Sequence, residues 1–156
     1  MIEIAIPESP SLTLEYLVLD FNGTLACDGV LFPGVGERLR ALSEHLQVHV
    51  VTADTFGQAK EALRGLPCTL TVLGAGRQAE AKRAYIERLG ASGCACVGNG
   101  RNDRLMLEHA ALGIAVIQGE GAAATTLAAA DVVAPCVQDA LDLIANPLRL
   151  VATLRE

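Results

Sequence analysis

Short aliphatic runs that stop at polar or glycine residues, each followed by a helical pattern, constrain this chain more than any other feature. Tyr16-Leu17-Val18-Leu19 runs into Asp20, and Val48-His49-Val50-Val51 into Thr52-Ala53-Asp54-Thr55. The run at 69–73 is closed by Gly74-Ala75-Gly76, and that at 94–97 by Gly98-Asn99-Gly100-Arg101-Asn102-Asp103. Such runs suit strands buried on both faces. Between them Val35, Leu39, Leu42 and Leu46 recur with helical spacing. Strand and helix alternating through short links predict an α/β fold, a doubly wound parallel sheet with helices on both faces.

Around this frame the pattern predicts an N-terminal β-hairpin from strands at 2–6 and 12–19, and a tight loop or small flap at 26–33. Helices are expected at about 56–64, 77–89, 122–130, 137–145 and 148–154, and further strands at 113–117 and 131–133. Asn102 or Asp103 is positioned to cap the helix that follows them. At 156 residues, with neither internal repeat nor linker, the chain is expected to form a single domain, 1–156.

Hydrophobic residues make up 51% and aromatics only 3%, so the core must be aliphatic. A net charge of -6 argues against nucleic-acid and anionic-membrane partners. Charges interrupt every apolar run short of the roughly 18 residues that a membrane span needs. The start, Met1-Ile2-Glu3-Ile4, lacks a basic, signal-like leader, and a cytoplasmic location is expected. The five cysteines have no metal-ligand spacing; Cys94 and Cys96 fall on one face of a strand and read as core packing. His45, His49 and His109 are scattered and form no catalytic or zinc pattern.

Ligands of open α/β sheets bind beyond the carboxyl ends of the strands. Asp20 lies at such an end. Gly23 permits close backbone approach, and Thr24 adds a hydroxyl. Thr52 is either a cap between strand and helix or an anion ligand; Asp54 is either that cap or a supporting acid. Lys82 is the sharpest anomaly. It occupies the inner stripe of its helix with Ala79, Ile86 and Leu89, where an unpaired ammonium would cost several kcal/mol. Either it snorkels to the surface or it reaches an anionic site at the sheet end. Asn99 and Asp103, with Asp20 nearby, offer hard oxygen ligands to Mg²⁺.

The order Asp20-Phe21-Asn22-Gly23-Thr24-Leu25, Thr52, Lys82, Gly98-Asn99-Gly100-Arg101-Asn102-Asp103 resembles the haloacid dehalogenase (HAD) superfamily. Within it the chain is most similar to the phosphorylation domain of P-type ATPases and to small soluble proteins like that domain. Glu80-Ala81-Lys82, Ala111-Leu112-Gly113-Ile114-Ala115-Val116 and Ala129-Ala130-Asp131-Val132-Val133 add to the likeness.

The resemblance implies a Mg²⁺-dependent phosphatase or phosphotransferase in which Asp20 forms an aspartyl-phosphate. Catalytic roles would fall to Asp20, Asn22, Thr52 and Lys82, and phosphate contacts to Asp20, Gly23, Thr52, Ala53 and Lys82. Metal contacts would come from Asp20, the carbonyl of Asn22, Asn99 and Asp103. Two positions depart from the pattern. Asn22 stands where HAD phosphatases have an acid-base aspartate, whose loss typically costs about 10²–10⁴ in rate. Asn99 stands where an aspartate commonly binds Mg²⁺, which leaves Asp103 to carry more of that role. These departures motivate the alternative of a non-hydrolytic phospho-ligand binder or regulatory protein. The short span between Leu25 and Thr52 holds no cap and no nucleotide-binding insertion, so the resemblance implies an open site. That suits a large substrate or a lid supplied by a neighbouring subunit of a homo-oligomer; the partners expected are a small phosphorylated substrate or a phosphorylated macromolecule.

Overall fold

The computed structural model describes residues 1–54 and 57–155. The expected helix start at Phe56 and the end of the Thr52–Thr55 cluster lie outside the described residues. Six parallel strands form the central sheet: β3 (Tyr16–Leu19), β6 (Gln47–Thr52), β7 (Thr69–Val72), β8 (Cys94–Gly98), β9 (Leu112–Val116) and β10 (Val132–Ala134). Their spatial order is β10-β9-β8-β3-β6-β7. The chain builds outward from β3 on one side, then crosses to β8 and builds outward on the other. The β3/β8 boundary is therefore a switch point, where the connections diverge and leave a crevice.

Alternation along the strands feeds two cores. Leu17, Leu19, Val48, Val50, Ala95, Val97 and Ile114 face one side, under α1 (Val35–Ser43), α6 (Val137–Ala145) and α7 (Pro147–Leu154). Val18, Val51, Cys94, Cys96 and Ala115 face the other, under α3 (Gln78–Leu89), α4 (Arg104–His109) and α5 (Ala124–Ala129). This is the doubly wound arrangement expected from the alternating pattern. Cys94 and Cys96 are buried in the same cluster as free thiols, as small apolar side chains would be. His49 is also structural: its Nδ1 lies 2.9 Å from the hydroxyl of Tyr85 on α3, and burial lowers its pKa.

Several boundaries differ from those read from the pattern. The strand expected at 12–19 breaks at Glu15, giving β2 (Leu12–Leu14), which pairs antiparallel with β1 (Ile2–Ile4), and then β3. Glu15 donates its amide to Gly93 and accepts from Gln47, so the backbone passes from hairpin to sheet there. The flap at 26–33 contains a two-stranded ribbon, β4 (Ala26–Cys27) and β5 (Val30–Leu31). Asp28 and Gly29 turn it with φ of 51° and 76°, the positive values of a tight hairpin. The helix expected to end at 64 is described only as α2 (Ala59–Ala62). No helix among the described residues is long and apolar enough to cross a membrane.

Candidate active site

β3 is buried throughout its last three residues, so the chain must leave the sheet at Asp20 with its carboxyl group at the crevice. The Asp20 amide still donates to Val97 on β8, at 3.0 Å, which fixes the residue at the switch point. The chain then folds back at once. The carbonyl of buried Phe21 accepts from Thr24, Leu25 and Ala26, and Gly23 takes φ 80°. This tight turn brings the Thr24 hydroxyl to 3.1 Å from Asp20 Oδ2 and 3.2 Å from Asn99 Oδ1.

Lys82 resolves its anomaly by pairing. Its side chain is 0% exposed, and Nζ donates to Asp20 Oδ1 and Asp103 Oδ1, both at 2.6 Å. It does not snorkel. Burial opposes the ammonium, but the two carboxylates outweigh it and hold the pKa above the ordinary lysine range. The balance for Asp20 falls the other way. Burial and then the Asp103 charge raise its pKa to about 6, against the pull of Lys82 and Thr24. One cation between two buried carboxylates leaves a net negative centre in which the Asp20 carboxyl still ionises near neutral pH.

Asp103 is placed differently from Asp20. Its Oδ2 accepts the backbone amides of Asn99 and Gly100, each at 2.9 Å, while Oδ1 holds Lys82. The side chain is wholly buried and does not line the cleft. The expected capping of α4 is not made: Asp103 reaches back to the loop, and Asn102 donates to Gln78 Oε1 at 3.0 Å. Both Asp103 oxygens thus accept bonds from the protein and its side chain is not part of the cleft lining, so this carboxylate organises the loop and the lysine.

The cleft above this floor has a volume of about 290 Å³ and is lined by Asp20, Asn22, Thr52, Ala53, Asn99 and Gly100, with Gln78, Asn102 and Glu120 at its sides. A larger, more apolar hollow of about 460 Å³ lies elsewhere, against Met1, Leu42, His45 and Pro147, and contains none of these residues. Thr52 is buried and its Oγ1 accepts the Asp54 amide at 3.0 Å, its proton having no acceptor among the described residues. Asp54 Oδ1 accepts the amides of Gln58 and Ala59 at the start of α2, from four residues before the cap residue Gln58. Gly23 belongs to the turn over the cleft: a Cβ built on it would stand 2.4 Å from Asn99 Nδ2 and 2.6 Å from Glu120 Oε2.

Gln78, Gln118 and Glu120 escaped the sequence reading, and Asn102 entered it only as a helix cap and a motif residue. Gln78 and Asn102 form one side of the cleft. The Gln118-Gly119-Glu120-Gly121 turn after β9 forms another, with the Gln118 Nε2 donating to the carbonyls of Gly23 and Thr24 at 3.0 and 2.8 Å. A polar cluster with glycines after a strand was the available signal, the same one that singled out the loop after β8.

No family model matches the chain. Two curated proteins of Methanocaldococcus jannaschii do. The uncharacterized protein MJ0073 is 50% identical over 60 residues, 38% of this chain and 64% of that one. The uncharacterized protein MJ0072 is 46% identical over 39 residues, 25% of this chain and 89% of that one. This chain thus spans slightly less than two thirds of MJ0073. Among solved structures, the 3-deoxy-D-manno-octulosonate 8-phosphate phosphatase of Moraxella catarrhalis, in complex with magnesium, phosphate and KDO, superposes with TM-score 0.70 at 19% identity, covering 90% of this chain and 92% of that chain. The cobalt-bound phosphatase of Haemophilus influenzae gives TM-score 0.71 at 17% identity, covering 86% and 89%. A protein of Legionella pneumophila described as a HAD superfamily (subfamily III A) hydrolase gives 0.72 at 20%, covering 90% and 87%. The chain belongs to one family with the M. jannaschii protein MJ0072, and its fold is that of the HAD superfamily.

Proposed function

We propose that this protein is a Mg²⁺-dependent phosphatase or phosphotransferase acting through an aspartyl-phosphate on Asp20. The observation that carries the reading is the buried Lys82 held 2.6 Å from both Asp20 and Asp103 at the switch point. Phosphoryl transfer needs alignment and charge neutralisation above all, and this arrangement supplies a fixed cation beside a carboxylate nucleophile. An Asp20 oxygen attacks phosphorus as the ester oxygen departs; water then attacks the aspartyl-phosphate, releasing phosphate and restoring the carboxylate. Thr52 donates its hydroxyl to a phosphoryl oxygen, and the backbone at Gly23 and Ala53 borders the phosphate. Lys82 offsets charge on Asp20 and the phosphoryl group.

The donors toward the cleft fit a hard cation: the Asp20 carboxylate, the Asn99 amide oxygen and the Asn22 carbonyl. Bound Mg²⁺ would neutralise charge on the phosphoryl oxygens. The Moraxella and Haemophilus structures, bound to magnesium and cobalt, support this assignment. The P-type-like order of motifs supports a phosphoenzyme that turns over slowly, because Asn22 can neither protonate the leaving group nor activate water. The substrate is a small phosphorylated molecule or a phosphorylated macromolecule.

The test is Mg²⁺-dependent release of p-nitrophenol from p-nitrophenyl phosphate, together with an acid-stable label from acetyl [³²P]phosphate. Both are expected in the wild type and lost in Asp20→Asn. Asn22 favours the second reading, a phospho-ligand binder without turnover. It predicts that Mg²⁺ and a phosphoryl mimic bind together while neither product nor label forms. Asn22→Asp separates the two further, since the enzyme reading expects faster hydrolysis once the acid-base carboxylate is restored.

A further inference from the structure

Asn99 leaves the cleft one carboxylate short of the HAD pattern, and Asp103, wholly buried beneath Lys82 and the loop, does not line the cleft. Of the carboxylates that line the cleft, one is Asp20 on its floor and the other is Glu120. Glu120 comes from a different strand end, beyond β9. We infer that Glu120 supplies the second carboxylate ligand of the divalent cation, in place of the one lost at Asn99. This rests on the proposed metal-dependent reading of the site.

Three observations carry it. Glu120 Oε2 and both polar atoms of the Asn99 side chain converge on Gly23: a Cβ there would lie 2.6 Å from the first, and 2.4 and 2.8 Å from Nδ2 and Oδ1. Gly23 keeps this space open between the carboxylate and the amide that replaces the aspartate. Next, the turn bearing Glu120 is anchored on both sides of the cleft. Gln118 Nε2 holds the carbonyls of Gly23 and Thr24, and its Oε1 accepts the Val137 amide at 2.7 Å. Asn99 Nδ2 donates to Gly121 at 3.0 Å, and Ala123 donates its amide to the Asn99 carbonyl at 2.9 Å. The Gly121 amide closes the turn on Gln118 at 2.7 Å. Last, Glu120 has no hydrogen-bond partner among the described side chains that would have to be broken, so its oxygens are available to a cation.

A bound ion orients its ligands through such supporting bonds, and loss of one typically weakens metal affinity about 10–100-fold. Glu120 also has a second set of neighbours: Cys27 Sγ and an Asp28 oxygen lie within 4.8 Å of one of its oxygens. The experiment must therefore tell the two sides apart.

Mn²⁺ affinity of the purified protein, measured by EPR of the free ion in titrations, gives a readout independent of turnover. Glu120→Gln is expected to weaken Mn²⁺ binding by about 10-fold or more, with an unchanged circular dichroism spectrum. Asn99→Asp introduced into Glu120→Gln is expected to restore it, and Asp28→Asn to leave it unchanged. Wild-type binding with Glu120→Gln unaffected overturns the inference alone. Binding that survives Asp20→Asn and is lost in Asp28→Asn also overturns it, by moving the ion to the Cys27 side. A wild type that binds no Mn²⁺ overturns the metal-dependent reading together with the inference.

Discussion

Lys82 and Glu120 bring charge to the same cleft by opposite routes. Lys82 rises from the middle of α3, wholly buried, and both its bonds are to carboxylates of neighbouring strand ends. Glu120 projects from an exposed turn whose backbone, not its side chain, is held in place. The difference is energetic. A buried ion must have its partners built into the fold, because removing one leaves a charge in low dielectric. An exposed carboxylate needs only a rigid carrier and can wait in water for a ligand. The floor of this site is thus bound up with folding stability, whereas its rim is free to serve binding.

The largest effect expected is from Lys82→Ala. It strands Asp20 and Asp103, and should cost about 3–5 kcal/mol in urea unfolding at pH 8. The loss should shrink toward pH 4 as Asp20 takes up a proton; a loss under 1 kcal/mol would break the contrast. Asp20→Asn should move stability in the other direction. The folded-state pKa of about 6 lies above the ordinary 3.8, so the metal-free native state keeps a proton that the unfolded chain has lost. Stability therefore falls as pH rises through that window. The neutral amide avoids this, and should add up to about 3 kcal/mol at pH 8, fading as pH drops to 4. Denaturation curves at several pH values in EDTA measure both effects.

Rim substitutions should be gentler. Gln118→Leu leaves two carbonyls of the Asp20 turn and the Val137 amide without partners. A cost of about 1–3 kcal/mol in thermal or urea unfolding is expected. Glu120→Gln should change stability by less than about 0.5 kcal/mol, since its side chain makes no hydrogen bond or ion pair among the described residues. If it destabilised the protein as much as Gln118→Leu, the rim would be structural like the floor.

The floor was legible in the sequence because its residues violate simple patterns. Lys82 interrupts an apolar stripe, and Asp20 and Thr52 end aliphatic runs. Each violation demanded a partner, and the parallel sheet supplied a place where the partners could meet. Asp103 was legible as part of the site, but its spacing from Asn99 does not show that it lies under the cleft, holding Lys82 and the loop amides. Gln118 and Glu120 were overlooked although they follow β9 as Asn99 follows β8. A glutamine and a glutamate between glycines break no periodicity, and their value lies in what they face across the cleft. The same limit applies to Glu15, where a polar residue within an alternating run conceals the passage from hairpin to sheet.

The sequence distances spanned by Lys82 have a kinetic consequence. Its partners are 62 residues upstream and 21 downstream, in the segments that follow β3 and β8, strands built before and after the chain crosses the sheet. Closing those loops costs entropy before the ion pairs can repay it, so the three charges remain separately hydrated until both halves of the sheet have docked. Assembly of this charge cluster and completion of folding are thus a single event. A chain stalled with only one half of its sheet formed carries the residues of the site without the site itself.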